Sequence, residues 1–212
     1  MPNASSDEAN VVPGRIAQRT LAARNARYND EVRRLLDAAL ELMQQCGTTS
    51  KPRVVDIVAA AGLSNDAFYR HFASKDALVA TLLDDGSERL RGYLEHQMAK
   101  EGSPAVKVAR WVEGVLSQAD DDIAATTLAV LWNGGSVGQG PASGRHFASG
   151  PLSTLLLEPF AALGSTTPEL DASLVAHATF GKLSDYLWQQ ERPTRAEIER
   201  ITDFCLSAVT RS

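Results

Sequence analysis

Little in this 212-residue chain points to export, a membrane or a metal. It has two cysteines, Cys46 and Cys205, far apart and in no CxxC pair. That argues against a disulfide framework or a structural zinc site and fits reduced thiols in a cytoplasmic protein. No run approaches the ~20 consecutive apolar residues that a membrane span needs. The opening MPNASSDEANVVPG lacks the basic-then-apolar pattern of an export signal. There is no GxSxG, no HExxH, no phosphate loop and no close cysteine–histidine pair, so neither enzyme chemistry nor a cofactor or metal is expected. Runs of alternating β-branched residues are also missing, and an all-α fold is what remains.

What is present is unevenly spread. The net charge of −5 looks wrong for a protein that binds nucleic acid. Residues 13–80, however, carry ten basic and seven acidic side chains, net +3, against eleven basic and seventeen acidic over 81–212. A mildly basic head on an acidic body attracts phosphate locally and keeps the rest of the molecule off it.

Apolar spacing predicts about nine helices. Residues 1–12 read as disordered, and 13–28 either extend the first helix or form a loose basic arm. From Asn29, residues Val32, Leu35, Leu36, Ala39, Leu40 and Met43 make one helical stripe, with Asp30 and Glu31 placed in the first turn and Gly47 as the stop. Shorter helices follow over 54–61 and, capped by Ser64, over 65–72. Ser74 caps a fourth that runs to about Ala99. Further helices are expected over 104–119, 120–132 and 151–163, the last kinked or shortened at Pro159. Two capping boxes open the final pair, to about Gln190 and about Thr210. Asn133–Gly150, rich in Gly and Ser, reads as a loop.

The two short helices are joined by Ala-Gly-Leu-Ser, where Gly62 takes a positive φ without strain. Ile57, Val58, Ala61, Leu63, Phe68 and Phe72 close a small core with the first stripe. That leaves Asn65, Asp66, Tyr69, Arg70 and His71 off the core, on a helix suited to a major groove.

The order DIVAAAGLS, FYRHF, SKDAL is similar to the signature of the TetR (tetracycline repressor) family, closely over about 29–85. Beyond that the resemblance extends to length and helical layout. It implies a helix-turn-helix DNA-binding domain (28–85, motif about 52–71) after an N-terminal arm (1–27). An effector-binding and dimerisation domain (86–212) would follow. The resemblance makes Tyr69, His71 and Lys75 phosphate contacts, and sets Asn65, Asp66, Ala67 and Arg70 toward the groove. Of these, Arg70 suits guanine and Asn65 adenine, while Asp66 and Ser64 can also serve as caps. Family members often have threonine where this chain has Arg53, after Lys51-Pro52; the small cap is lost and a charge is gained there.

The resemblance also implies a double-stranded DNA operator, a homodimer and a small-molecule effector, commonly acting by release of repression. The residues lend support. His177, Gly181, Ser184 and Trp188 form a second face on the penultimate helix, and Ile198, Ile201, Cys205 and Ala208 one on the last, more than a single core-facing stripe requires. Trp111, Trp132, Phe147, Phe160 and Phe180 are the candidate lining of an apolar effector pocket, gated by the Gly-rich loop. A helical dimeric adaptor without specific DNA binding is the competing reading; it accounts for the apolar C-terminal faces but not for Tyr69 and Lys75 together.

Overall fold

The computed structural model describes residues 11–134 and 150–207, without the side chains of 11–17 and 121–122. Every regular element among them is helical: α1 (Val11–Cys46), α2 (Val54–Ala60), α3 (Asn65–His71), α4 (Lys75–Met98), α5 (Pro104–Leu116), α6 (Asp121–Asn133), α7 (Pro151–Thr154), α8 (Leu157–Ala162), α9 (Pro168–Gln189) and α10 (Arg195–Ser207), with a 3₁₀ turn at Ser117–Ala119. Of the disorder expected over residues 1–12, the first ten residues lie outside the described ones, while Val11 and Val12 are helical; nearly all of the Gly-Ser loop and the end of the last helix also lie outside. Among those described, no helix is long and apolar enough to cross a membrane.

Two elements differ from expectation. α1 begins at Val11, not Asn29, so 13–28 extend the first helix, and Asp30 and Glu31 sit mid-helix rather than in a first turn. The expected helix over 151–163 is two. Pro159 has no N–H to give the carbonyl of Leu155, four residues back, and its ring crowds that carbonyl. The chain breaks there: the amide of Leu156 bonds Ser153 O at 3.1 Å, and α-helical bonding resumes with Phe160 N to Leu156 O at 3.0 Å.

Two apolar cores stand end to end. The first joins Leu35, Ala39 and Met43 of α1 to Ile57, Val58, Phe68, Phe72, Leu78, Val79 and Leu82. The second gathers Leu90, Leu94, Trp111, Val115, Leu156, Phe160, Val175 and Leu187, among others. α4 runs unbroken through both, changing cores between Leu82 and Leu90. α6 bridges them as well, placing Ala129 and Val130 in the first core and Leu128 in the second. Gly114 lets α5 approach α4 closely, since a Cβ there would strike the Leu94 side chain. Trp111 donates its indole N–H to Leu152 O at 2.9 Å, which pins α7 to α5.

Candidate nucleic-acid interface

Short-range features set the geometry of α2 and α3. Gly62, at φ 62°, turns the chain between them. α1 holds that turn, because Arg34 Nη2 donates to the carbonyls of Ala61 at 2.6 Å and Gly62 at 3.2 Å. Ser64 Oγ accepts the amide of Ala67 at 3.2 Å, and Ser74 Oγ that of Ala77 at 3.1 Å, capping α3 and α4. Phe68 has no exposed surface and Ala67 is buried beside it, so α3 turns Asn65, Asp66, Tyr69 and Arg70 outward. The tyrosine is 59% exposed, with its ring set edge-on to Phe68 at 5.2 Å. Ala67 therefore faces the core and not a groove.

The guanidinium of Arg70 is not loose. Its Nη2 donates to Glu31 Oε2 at 2.7 Å, and Arg27 Nε donates to Glu31 Oε1 at 3.1 Å. His71 Nε2 lies 2.8 Å from the same carboxylate. Hydrogen bonds from His71 and then Arg70, with help from Arg27, hold the Glu31 carboxyl at about 2, against burial that opposes them. An ionised carboxylate only accepts, so Nε2 carries the hydrogen of His71. The imidazole is 1% exposed, packed edge-on against Tyr28 at 4.4 Å. His71 is consequently a positioning residue: its polar edge is spent on Glu31, and it presents nothing to a phosphate. Arg70 nonetheless remains 57% exposed.

A cationic rim lies where α2 and α4 begin. Lys75 Nζ donates to Pro52 O at 3.2 Å, and burial, then the charge of Lys51, pushes its pKa down. Lys51 sits over the ring of Trp132, 5.6 Å from its centroid. In place of the small cap, Arg53 makes a paired fork with Asp56, Nε to Oδ2 at 3.1 Å and Nη2 to Oδ1 at 3.0 Å, while Asp56 also accepts the Arg53 amide. The charge gained at Arg53 is thus partly neutralised by its own helix.

Glu31, Tyr28 and Arg34 were missed from the sequence. Glu31 sits on the same helix as the core stripe, and only the tertiary approach of α3 makes it a hub. The exposed outer face of α3 and the basic rim together offer polar groups for base edges flanked by donors for phosphate.

The other candidate residues scatter. Trp111 and Phe160 have no exposed surface and pack as core, so neither borders a cavity in this state. Phe180 is set edge-on to Trp111 at 6.0 Å, and Trp132 to Trp188 at 6.1 Å. Phe147 lies outside the described residues. An open groove of about 410 Å³ lies elsewhere, between α1 and α4, floored by Val32, Leu36 and Leu40 and rimmed by Arg33, Asp85 and Arg89. On α9, His177, Gly181, Ser184 and Trp188 are exposed in one row, and Leu170 and Leu174 extend it. Cys205 is fully buried, and Ile198 and Ile201 pack on the second core, so these three face their own protomer, not outward. Ala208 lies outside the described residues. Among the described residues of α10, Phe204 is an exposed large apolar side chain.

Comparison with known proteins agrees with this geometry. Residues 35–82 match the family described as bacterial regulatory proteins, tetR family. No curated protein matches. Among solved structures, a TetR-family transcriptional regulator from Pectobacterium atrosepticum is similar, at 19% identity and TM-score 0.60, covering 87% of this chain and 93% of that one. RolR in complex with resorcinol is similar at 16% identity and TM-score 0.62, covering 89% and 97%. The fatty acid degradation regulator FadR from Bacillus halodurans follows at 20% identity and TM-score 0.54, covering 83% and 94%. At such identities the likeness is one of fold.

Proposed function

We propose that this chain, whose residues 35–82 match the bacterial regulatory proteins of the tetR family, is a dimeric repressor that leaves a palindromic operator when a small apolar molecule binds its body. The observation that carries this is the outer face of α3. Asn65, Tyr69 and Arg70 stand exposed together, and Arg70 is pre-oriented by a carboxylate held ionised. Tyr69 and Lys75 bind phosphate, and Arg70 and Asn65 read bases. Asp66 and Ser64 shape the start of α3, while Lys51 and Arg53 add charge at its border.

The second protomer docks on α9. Leu170, Leu174, His177, Gly181, Ser184 and Trp188 recur at alternating spacings of four and three, the period of a helix-pairing seam. Phe204 of α10 widens that seam. A twofold axis there gives two copies of α3 and hence a palindromic site. RolR, whose structure holds resorcinol, lends support to a small aromatic effector, and Phe180, partly buried against Trp111, is a candidate to meet its ring. Effector binding favours the half-site spacing that no longer matches DNA.

The test is selection from a random duplex pool with the full chain, followed by binding at several salt concentrations. A repressor of this kind recovers a twofold-symmetric sequence. Arg70→Ala weakens binding to it and relaxes one base position, by about 1–3 kcal/mol. Recovery of no preferred sequence overturns the reading and favours the helical adaptor.

A further inference from the structure

The part of α1 that precedes Arg27 has no role in the site just described. Between Glu8 and Asp30 the chain has four arginines, Arg15, Arg19, Arg24 and Arg27, and no acid. From Val11 this stretch is helix, and every side chain from Gln18 to Asp30 is exposed. At about 1.5 Å per residue, Val11 to Tyr28 spans roughly 25 Å. Ala17, Ala22, Ala23 and Ala26 with the arginines are strong helix formers, which lets the segment stay helical without a core of its own.

Its inner end is fixed against the groove-facing helix. The Tyr28 ring meets that of His71, and Arg27 shares Glu31 with Arg70. The projection therefore leaves the domain at the C-terminal end of α3, one side chain away from a residue that reads DNA. A duplex carries about one phosphate charge per 1.7 Å, and a helical stretch with Arg15, Arg19 and Arg24 and no acid among them suits it. A second copy of the same helix would be repelled.

Resting on the DNA-binding reading above, we infer that Val11–Arg27 is a phosphate-binding arm. It lies along the duplex that flanks the sequence read by α3, lengthening the site without adding base preference. Arg15, Arg19 and Arg24 supply the contacts, and Arg27 anchors the arm to Glu31.

The test compares the full-length chain with an Arg15→Ala/Arg19→Ala/Arg24→Ala variant, which leaves the Glu31 network intact; circular dichroism checks that its helicity is kept. The probe is the duplex selected by the wild type, prepared bare and with ten added flanking base pairs on each side. The wild type should bind the longer duplex more tightly. The variant should lose that length dependence, and its slope of log affinity against log salt should fall by about 0.9 for each phosphate it no longer neutralises, with base preference unchanged. Replacing the same three arginines by lysine should keep the slope. Equal slopes and equal length dependence for wild type and alanine variant would overturn the arm alone. A wild type that selects no sequence would bring down the reading of α3 first, and the arm with it. A smaller assembly for the alanine variant in light scattering, with unchanged DNA binding, would place the arm between copies and also overturn it.

Discussion

α3 and α9 each run along the surface with one side against a core, but they expose opposite chemistry. α3 shows Asn65, Asp66, Tyr69 and Arg70; α9 shows Leu170, Leu174, Gly181 and Trp188. A polar face bordered by the cationic rim of Lys51, Arg53 and Lys75 gains from a charged partner and loses that gain as salt rises. An apolar row gains by leaving water, and salt does little to it. Under the proposed function the two helices serve two kinds of partner, a nucleic acid and a second copy, and salt would tell them apart.

The largest effect separates buried from exposed residues within α3 itself. Phe68→Ala should cost about 3–5 kcal/mol of stability in urea unfolding, whereas Tyr69→Ala next to it should stay within about 0.5 kcal/mol. Similar losses for both would mean that α3 is not seated as described. On α9, Leu174→Asp should give a monomer in light scattering at micromolar concentration, at low and high salt alike. A dimer that persists would move the seam elsewhere. On the head, Tyr69→Ala/Lys75→Ala should lower the salt slope of DNA binding by about 1 for each phosphate left unbound, and leave the dimer untouched.

The smallest effect is a pH dependence of the head. The Glu31 carboxyl is held at about 2, below its ordinary 4.5. Its depressed pKa contributes stability that is complete above pH 4.5 and lost as the pH falls toward 2. In thermal melts across that window, the wild type should lose more Tm than Glu31→Gln does. Parallel curves would remove Glu31 from its place as hub.

How much of this was legible follows from what each signal reports. Gly62, Ser64 and Ser74 were readable because turns and caps are local chemistry, complete within about four residues. The core stripe of α1 was readable because burial imposes a period. The same rule hid the helix before Tyr28: hydrophobic periodicity marks packing, and residues 18–28, all exposed, have none. Glu31 looked like an end-of-helix acid; Arg27 is its neighbour along α1, but its other two partners, Arg70 and His71, come from α1 and α3 meeting in space. Cys205, Ile198 and Ile201 were apolar on a helix with two apolar sides, and sequence alone does not say which side is inward. Leu170 and Leu174 carried a findable signal, since they continue the spacing of His177 and Gly181 toward the N-terminus.

Selection from a random duplex pool, repeated with Arg70→Ala, bears most directly on the outer face of α3 as the reader of DNA. The wild type should recover a twofold-symmetric sequence, and the variant the same sequence with one position in each half relaxed. An unchanged preference in the variant, or no preference in the wild type, would contradict it.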